Sequence, residues 1–157
     1  MRASRLAVAP LVEFRVRMAR VGDAKAIAGL SSELGYPMTL RAARDRLEKV
    51  LARDDQRVVV AQAAGGALCG WLQAHRNISV ETGLRVEIVG LIVTKAMRRQ
   101  GVGRSLVAQA ETWASEISAE TVVVRSNAAR TESHSFYPSL GYLPSKTQVV
   151  YRKRIVI

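Results

Sequence analysis

The stretch that decides the fold covers residues 86–105 and reads VEIVGLIVTKAMRRQGVGRS. Residues 86–93 are apolar at almost every position, and this predicts a strand buried on both faces in the middle of a sheet. Gly90 within the strand indicates a bulge or a close approach of another group to the backbone. A glycine turn then leads into an amphipathic helix. The apolar stripe of that helix consists of Leu106, Ala110, Trp113, Ala114 and Ile117.

Between the strand and the helix lies a turn with two glycines, Gly101 and Gly103, which let the backbone approach a ligand closely. The first amides of the helix lack partners within it, and together with the helix dipole they favour an anion such as a pyrophosphate. Three arginines nearby, Arg98, Arg99 and Arg104, add charge-assisted hydrogen bonds to phosphate. The turn is therefore a predicted phosphate site. The alternative is a glycine turn that only starts a helix.

Two widespread nucleotide-binding patterns do not fit this turn. A P-loop requires Gly-x-x-x-x-Gly-Lys-Ser/Thr, a string that the sequence lacks. A dinucleotide fingerprint requires a third glycine, and position 106 is Leu. A different phosphate-bearing ligand is therefore expected.

The rest of the chain alternates between strand and helix patterns. The other predicted elements are a strand at 14–18, a helix with its N-cap at Asp23, a helix at 40–51, strands at 57–62 and 68–76 joined by a Gly65-Gly66 turn, a strand at 121–125, a helix at 128–140 and a strand at 148–156. The order is β-α-α-β-β-β-α-β-α-β. It predicts an α/β (α+β) fold with a mixed, mostly antiparallel twisted sheet flanked by helices.

Composition limits the class of protein. The 157 residues fit one domain, which we expect to span 14–157 after an N-terminal extension, 1–13. The single cysteine, Cys69, excludes an intramolecular disulfide. No apolar run approaches the ~20 residues of a membrane helix, and Pro10 interrupts the short apolar stretch near the N-terminus. We therefore expect a cytoplasmic protein without a membrane partner.

The formal net charge of +11 makes nucleic acid and a phosphate-rich cosubstrate candidate partners, because a basic chain attracts anions. The charge is spread along the whole chain, and diffuse arginine usage is also compatible with genome composition alone. Aromatic residues make up only 5%, and no nucleic-acid-binding motif is present. We therefore do not expect a nucleic-acid partner, and a basic nucleic-acid-binding protein is kept as an alternative.

The strand and turn resemble the acetyl-CoA signature of the GCN5-related N-acetyltransferase (GNAT) superfamily, Arg-x-x-Gly-x-Gly between a strand and a long helix. The matching residues are Gly90-Leu91-Ile92-Val93 and Arg98-Arg99-Gln100-Gly101-Val102-Gly103. Residues 126–130 and 134–142 are similar to the C-terminal motif of a bacterial branch of that superfamily. A third, weaker match lies at residues 14–24. The resemblance runs from residue 14 to about residue 154 and implies a GNAT-like fold.

The chain departs from the family pattern at two positions. Other branches often have Asn seven positions before the motif tyrosine, Tyr137, and this chain has Arg130 there. Asn127 can fill the pantetheine-binding role instead, so Asn127 and Arg130 are both candidates for contact with the cosubstrate. Pro138 stands where glutamate is common. Neither change removes a group that the chemistry needs.

The resemblance implies acetyl-CoA as cosubstrate and no metal. Family precedent assigns the oxyanion and the pantetheine arm to backbone groups of Leu91, Ile92 and Val93, where two strands splay and leave main-chain groups free to pair. The residues that the motif assigns to the pyrophosphate are Arg98, Arg99, Gln100, Gly101, Val102, Gly103, Arg104 and Ser105.

The resemblance also implies an acid and a base. An alkylammonium has a pKa near ~10.4, so it must lose a proton before attack. Glu87 is the implied base, directly or through water, because it lies fourteen residues before Gly101, as in the histone-acetylating branch. The alternative is a glutamate that faces solvent or pairs with an arginine. Tyr137 is the implied acid near the CoA sulfur, and the alternative is a core aromatic beside Phe136.

We therefore expect an N-acetyltransferase that acts on a primary amine of a small molecule or peptide by direct attack in a ternary complex. Two alternatives are an acyltransferase with another acyl-CoA or acceptor and a CoA-binding protein without catalysis. The positive charge disfavours polycationic acceptors such as aminoglycosides and polyamines unless the pocket is locally acidic. The C-terminal strand or the sheet edge could support a homodimer, which is common in the family.

Overall fold

The computed structural model describes residues 12–157. Residues 1–11 of the predicted N-terminal extension lie outside this range. The chain divides into two compact units, of which the first ends at Val124 and the second comprises Arg125–Ile157. That residues 14–157 behave as one domain stays a prediction.

Strands and helices follow one another in nearly the predicted order. The first unit contains β1 (Phe14–Met18), α1 (Ala24–Glu33), α2 (Leu40–Leu51), β2 (Gln56–Ala63), β3 (Leu68–Ser79), β4 (Gly83–Val93), α3 (Val102–Glu116) and β5 (Thr121–Val124), and the second contains α4 (Thr131–Ser139). Short 3-10 turns, Val21–Asp23 and Lys95–Met97, precede α1 and follow β4. The predicted mixed α/β fold is confirmed.

The five strands form one sheet in the order β1-β2-β3-β4-β5. Neighbours from β1 to β4 are antiparallel, whereas β5 runs parallel to β4. A parallel neighbour needs a crossover connection, and α3 supplies it. The predicted mostly antiparallel sheet is confirmed, with β4 paired on both sides.

A bulge interrupts the pairing of β3 with β4. Gln73 lies opposite Gly90 and Ala74 opposite Ile88, so Val89 is an extra residue in β4. A Cβ atom on Gly90 would lie 2.8 Å from two ring carbons of Trp71, so a side chain at this position would collide with the indole. Of the two alternatives that Gly90 indicated, the bulge is present, at the preceding residue Val89, and the Trp71 side chain also lies close to the Gly90 backbone.

Helices cover both faces of the sheet. Successive residues of a strand face opposite sides, so β2 contributes to two layers. On one side, Val58 and Val60 pack with buried residues of α1 and α2. These helix residues are Ala24, Ile27, Ala28, Ala43 and Leu47. On the other side, Val59, Leu72 and Ala74 line a narrow crevice with Ala110 and Trp113 of α3.

The start of α1 is fixed by a partly buried ion pair. Asp23 is the N-cap residue, as predicted. Its carboxylate accepts two hydrogen bonds from the Arg17 guanidinium, each 2.9 Å long, and a third from the Arg20 backbone N–H at 2.7 Å. The hydrogen bonds from Arg17 are the main cause that lowers the pKa of Asp23 below its usual range. This contact joins β1 to the first helix.

The predicted last strand, 148–156, is wrong, because no strand is present among residues 141–157. Apolar side chains of the segment are exposed, including Val150 at 84% and Val156 at 92%. A strand exists only where a neighbour pairs with its N–H and C=O groups. Alternating apolar and basic residues make a segment suitable for a strand and say nothing about its partner.

We expect Gly70→Ala to lower the free energy of unfolding by about 1–3 kcal/mol, as overpacked cores do. A Cβ at Gly70 would lie 2.9 Å from the carbonyl oxygen of Ile92, 3.1 Å from Leu106 and 3.2 Å from Val102. Gly29→Ala is the matched control, because nothing lies within 4 Å of a Cβ there. That helical change should raise stability by about 0.5–1 kcal/mol. Urea unfolding measures both, and equal stabilities would contradict the packing described.

We expect Asp23→Asn to lower the free energy of unfolding at neutral pH by about 1–3 kcal/mol, since hydrogen bonds to a charged group are lost. The pKa of Asp23 is lowered in the folded state, so its contribution is complete above the unfolded value of about 3.9. The contribution is lost as pH falls through the folded value. Denaturant melts from pH 7 to pH 3 should therefore show the two proteins converging at the acid end. A pH-independent difference would contradict the assignment to the charged pair.

Candidate functional site

One edge of β4 opens halfway along the strand. Its pairing with β5 runs from Arg85 to Ile88 and stops there, whereas its pairing with β3 continues to Val93. The N–H of Thr94 donates to the carbonyl of Cys69 in the segment of β3 opposite. Because main-chain groups alternate in direction along an antiparallel strand, those of Ile92 face β3.

The same alternation directs the N–H and C=O groups of Leu91 and Val93 towards the open edge. Two of the three predicted backbone positions thus offer main-chain groups at that edge, and the carbonyl of the third, Ile92, lies against Gly70. An extended ligand can pair with such an edge as an added strand does.

The turn between β4 and α3 leaves the helix N-terminus uncovered. Gly101 is the N-cap in a left-handed conformation with φ 84°, and no side chain of residues 12–157 caps the helix. Among these described residues, no atom would lie within 4 Å of a Cβ at Gly101. The first helical hydrogen bond is that from the Ser105 N–H to the Gly101 carbonyl, so the amides of Val102, Gly103 and Arg104 have no partner within the helix. An anion can therefore approach this backbone.

Side chains around the turn add further polar groups. Arg99 also adopts a positive φ, 62°, a conformation that a non-glycine residue rarely takes. The side-chain oxygen of Gln100 is buried without a hydrogen-bond partner among the described residues. The predicted set from Arg98 to Ser105 thus forms one continuous turn and helix start, with the chemistry of an anion cradle.

Glu33, at the end of α1, holds this turn from the other side of the sheet. Its carboxylate accepts hydrogen bonds from the Thr94 hydroxyl at 3.0 Å and from the Lys95 backbone N–H at 3.1 Å. The bond from Lys95 is the main cause that lowers the pKa of Glu33. Glu33 could not be predicted from the sequence, because its partners are 61 and 62 positions away and no local pattern marks them.

Glu87 is one of the two buried polar residues of the described chain, with 7% exposure. This excludes the solvent-facing alternative. It lies opposite His75 of β3, and the His75 Nε2 and the Glu87 Oε2 are 3.3 Å apart. His75 has the same strand parity as Trp71, which packs against the α1–α2 layer, so both side chains of the pair lie on that face.

His75 is a residue that the sequence analysis missed. The signal was available in the hairpin that joins β3 to β4, where Ser79 pairs with Gly83. Counting four residues outward from that pair along each strand gives His75 and Glu87. Recognising the turn would therefore have predicted the pair.

The second unit holds the remaining predicted residues. Asn127 forms a turn in which its side-chain oxygen accepts from the Ala129 N–H and its carbonyl from the Arg130 N–H, both at 2.9 Å. Because this turn occupies 127–130, α4 begins at Thr131 and not at 128 as predicted. The ring of Tyr137 makes edge contacts with Phe136 and Tyr142.

Burial raises the pKa of the Tyr137 phenol above its usual value, against a smaller opposite effect of Arg130. The phenol therefore stays protonated at neutral pH, as a proton donor must. The core-aromatic alternative and the acid role both fit this environment.

The described residues offer neither a metal site nor a membrane-spanning helix. No group of three or more His, Cys, Asp or Glu side chains in residues 12–157 could hold a metal ion. Within the same residues, every helix is too short or too polar to cross a membrane.

Comparison with known proteins gives one family. The model of the acetyltransferase (GNAT) family matches residues 28–142. No curated protein matches the chain.

Several solved structures share the fold. The chain is similar to the aminoglycoside N-acetyltransferase AAC(6')-Iy in complex with CoA at 21% identity, over 94% of this chain and 99% of that one, with a TM-score of 0.82. It is 22% identical to the aminoglycoside 6'-N-acetyltransferase AAC(6')-IG from Acinetobacter haemolyticus, over 90% of this chain and 99% of that one, with a TM-score of 0.78. It is 16% identical to glucosamine-6-phosphate N-acetyltransferase from Arabidopsis thaliana, over 89% of this chain and 98% of that one, with a TM-score of 0.77.

Proposed function

The chain belongs to the acetyltransferase (GNAT) family, and from this premise we propose that it transfers an acetyl group from acetyl-CoA to a primary amine of a small molecule or peptide. It is an N-acetyltransferase by class, and the acceptor, the path of the reaction and the residue roles are the proposed parts. One observation carries the proposal. A buried carboxylate, an open strand edge and an uncapped helix N-terminus follow one another along a single stretch of chain.

The CoA pyrophosphate binds at the start of α3. The open space beside Gly101 and the unpartnered first amides of the helix support this position. Arg98, Arg99 and Arg104 supply positive charge for the phosphate oxygens. The pantetheine arm then pairs with the open edge of β4. Asn127 and Arg130 of the second unit are further candidates for contact with the cosubstrate.

Glu87 removes the proton from the acceptor ammonium, so that the free amine can attack the thioester carbonyl in a ternary complex. Its low exposure supports this role, because a buried carboxylate can meet the acceptor amine away from bulk water. The open-edge N–H groups of Leu91 and Val93 stabilise negative charge on the acetyl oxygen during attack. Tyr137 gives a proton to the departing thiolate and regains one from the nitrogen as the amide forms, and its raised pKa keeps the phenol protonated until the thiolate leaves.

The acceptor enters on the face covered by α1 and α2, where Glu87 lies. Two of the similar structures are named as aminoglycoside acetyltransferases, and those acceptors are polycations. A chain with a net charge of +11 repels polycations at long range. An aminoglycoside, a lysine peptide and a monoamine should therefore be compared directly at two salt concentrations, since screening reduces that repulsion.

We expect Gly103→Trp to abolish acetyl-CoA binding, measured by isothermal titration calorimetry on the whole protein. Gly103 lies in the first turn of α3, and an indole there would occupy the space proposed for the pyrophosphate. Gly22→Trp is the matched control, because Gly22 precedes another helix and has nothing within 4 Å of a Cβ. The wild type and the control should bind with equal affinity. An absence of binding to the wild type would overturn the proposed function.

We expect Glu87→Gln to lower kcat about 10²–10⁴-fold, the usual range for loss of a general base. Tyr137→Phe should lower kcat by a smaller factor, because thiolate can also leave unprotonated. Release of CoA thiol measures both with the best amine of the panel. Glu81→Gln is the control, since Glu81 is an exposed carboxylate in the β3–β4 turn. A Glu87→Gln enzyme with the wild-type rate would remove Glu87 from the chemistry.

A further inference from the structure

A buried base needs a way to discharge its proton. Acetylation of an ammonium by a thioester yields an amide, a thiol and one proton, so each turnover leaves one proton to be returned to solvent. The Glu87 side chain is 9% exposed, whereas that of His75 is 29% exposed. The nitrogen and oxygen atoms that face each other are 3.3 Å apart. His75 therefore touches both the carboxylate and water.

Arg85 and Gln56, the polar side chains near this pair, cannot accept a proton from Glu87 and pass it to water. Arg85 shares the strand face of Glu87, two residues earlier, and a guanidinium keeps its protons. Gln56 lies opposite His75 on β2 and accepts a hydrogen bond from Gln73, and an amide does not titrate. On the other side of Glu87, the paired residue of β5 is Val123. Histidine can take up and release a proton near neutral pH.

We propose that His75 is the proton outlet of Glu87, an inference that rests on the proposed function. The ammonium N–H bond breaks and its proton binds the Glu87 carboxylate. At rest the His75 Nε2–H donates to the Glu87 carboxylate, and once Glu87 is protonated, exchange with water moves the ring proton from Nε2 to Nδ1. The Glu87 O–H bond then breaks, and its proton binds Nε2, forming an imidazolium. The imidazolium releases its Nδ1 proton to water, which restores the Nε2–H tautomer. Glu87 is again a carboxylate, and one proton has reached solvent for each acetyl group transferred.

His75 also orients Glu87 through their hydrogen bond, so the test must distinguish this positioning role from transfer of the proton. His75→Gln keeps a hydrogen-bond donor near the Nε2 position and cannot carry a proton, whereas His75→Ala removes both and leaves space for a small base. With acetyl-CoA and the best amine, both variants should lose kcat about tenfold, less than loss of the base itself. KM for acetyl-CoA should stay unchanged. Added imidazole should restore kcat of His75→Ala in proportion to its concentration and leave His75→Gln unaffected.

Controls address the strand and the base. Arg76→Gln changes the adjacent residue, which faces the other side of β3, and should keep the wild-type kcat. The double variant His75→Ala, Glu87→Gln should gain nothing from imidazole, because the group to be relieved is absent. A His75→Gln enzyme with the wild-type kcat, or a His75→Ala enzyme indifferent to imidazole, would overturn the outlet.

A second readout is independent of turnover. The chain has two histidines, so ring ¹⁵N spectra contain signals from His75 and from His134 as internal reference. At one fixed pH, Glu87→Gln should move the His75 signals and leave those of His134 in place. His75 signals that do not move would refute the contact between His75 and Glu87, and with it the proposed proton transfer. A wild type that binds no acetyl-CoA refutes the proposed function, whereas an active wild type with unaffected His75 variants refutes the outlet alone.

Discussion

The structure depends on how strand β4 is paired. Along its first half the strand has a neighbour on each side, and past Ile88 it pairs with β3 alone among the described strands. The N-terminal half of β4 is paired on both sides, and it carries the buried carboxylate of Glu87. The C-terminal half is paired on one side, so its main-chain donors and acceptors on the other side need another partner. The rest of the fold supports this division, because α3 covers one face while α1 and α2 cover the other.

The two ends of β4 differ in the charges around them. The chain is strongly basic along its whole length, and three of its arginines, Arg98, Arg99 and Arg104, lie at the turn after β4, where an anion is expected. Two carboxylates oppose that trend near β4. Glu33 carries three hydrogen bonds that tie the turn to α1, and Glu87 is buried beside His75. Burial of a charged group is costly without a partner, and Glu87 has His75 as such a partner. Glu33 is exposed, so its hydrogen bonds to Thr94 and Lys95 serve to hold the turn.

Sequence was a good guide wherever the deciding interaction is local. The strand 86–93, the glycine turn and the helix after it each carry their own periodicity or turn chemistry, and Gly90 even marked the bulge and the contact with Trp71. Pairing between distant segments was less accessible. Glu33 is tied to a turn more than sixty residues away, whereas the His75–Glu87 pair was hidden only because the hairpin register was not counted.

The failure at residues 148–156 follows from the same distinction. Alternation along a strand reports which side chains can share a face, and that property is local. Membership of a sheet is a property of two segments, since each must satisfy the other's main-chain groups. The sequence predicted the same buried strand for both halves of β4, although the second half pairs with β3 and not with β5. The property that makes this strand useful for binding is therefore a non-local one, and the glycine turn that follows it was its only visible sign in the sequence.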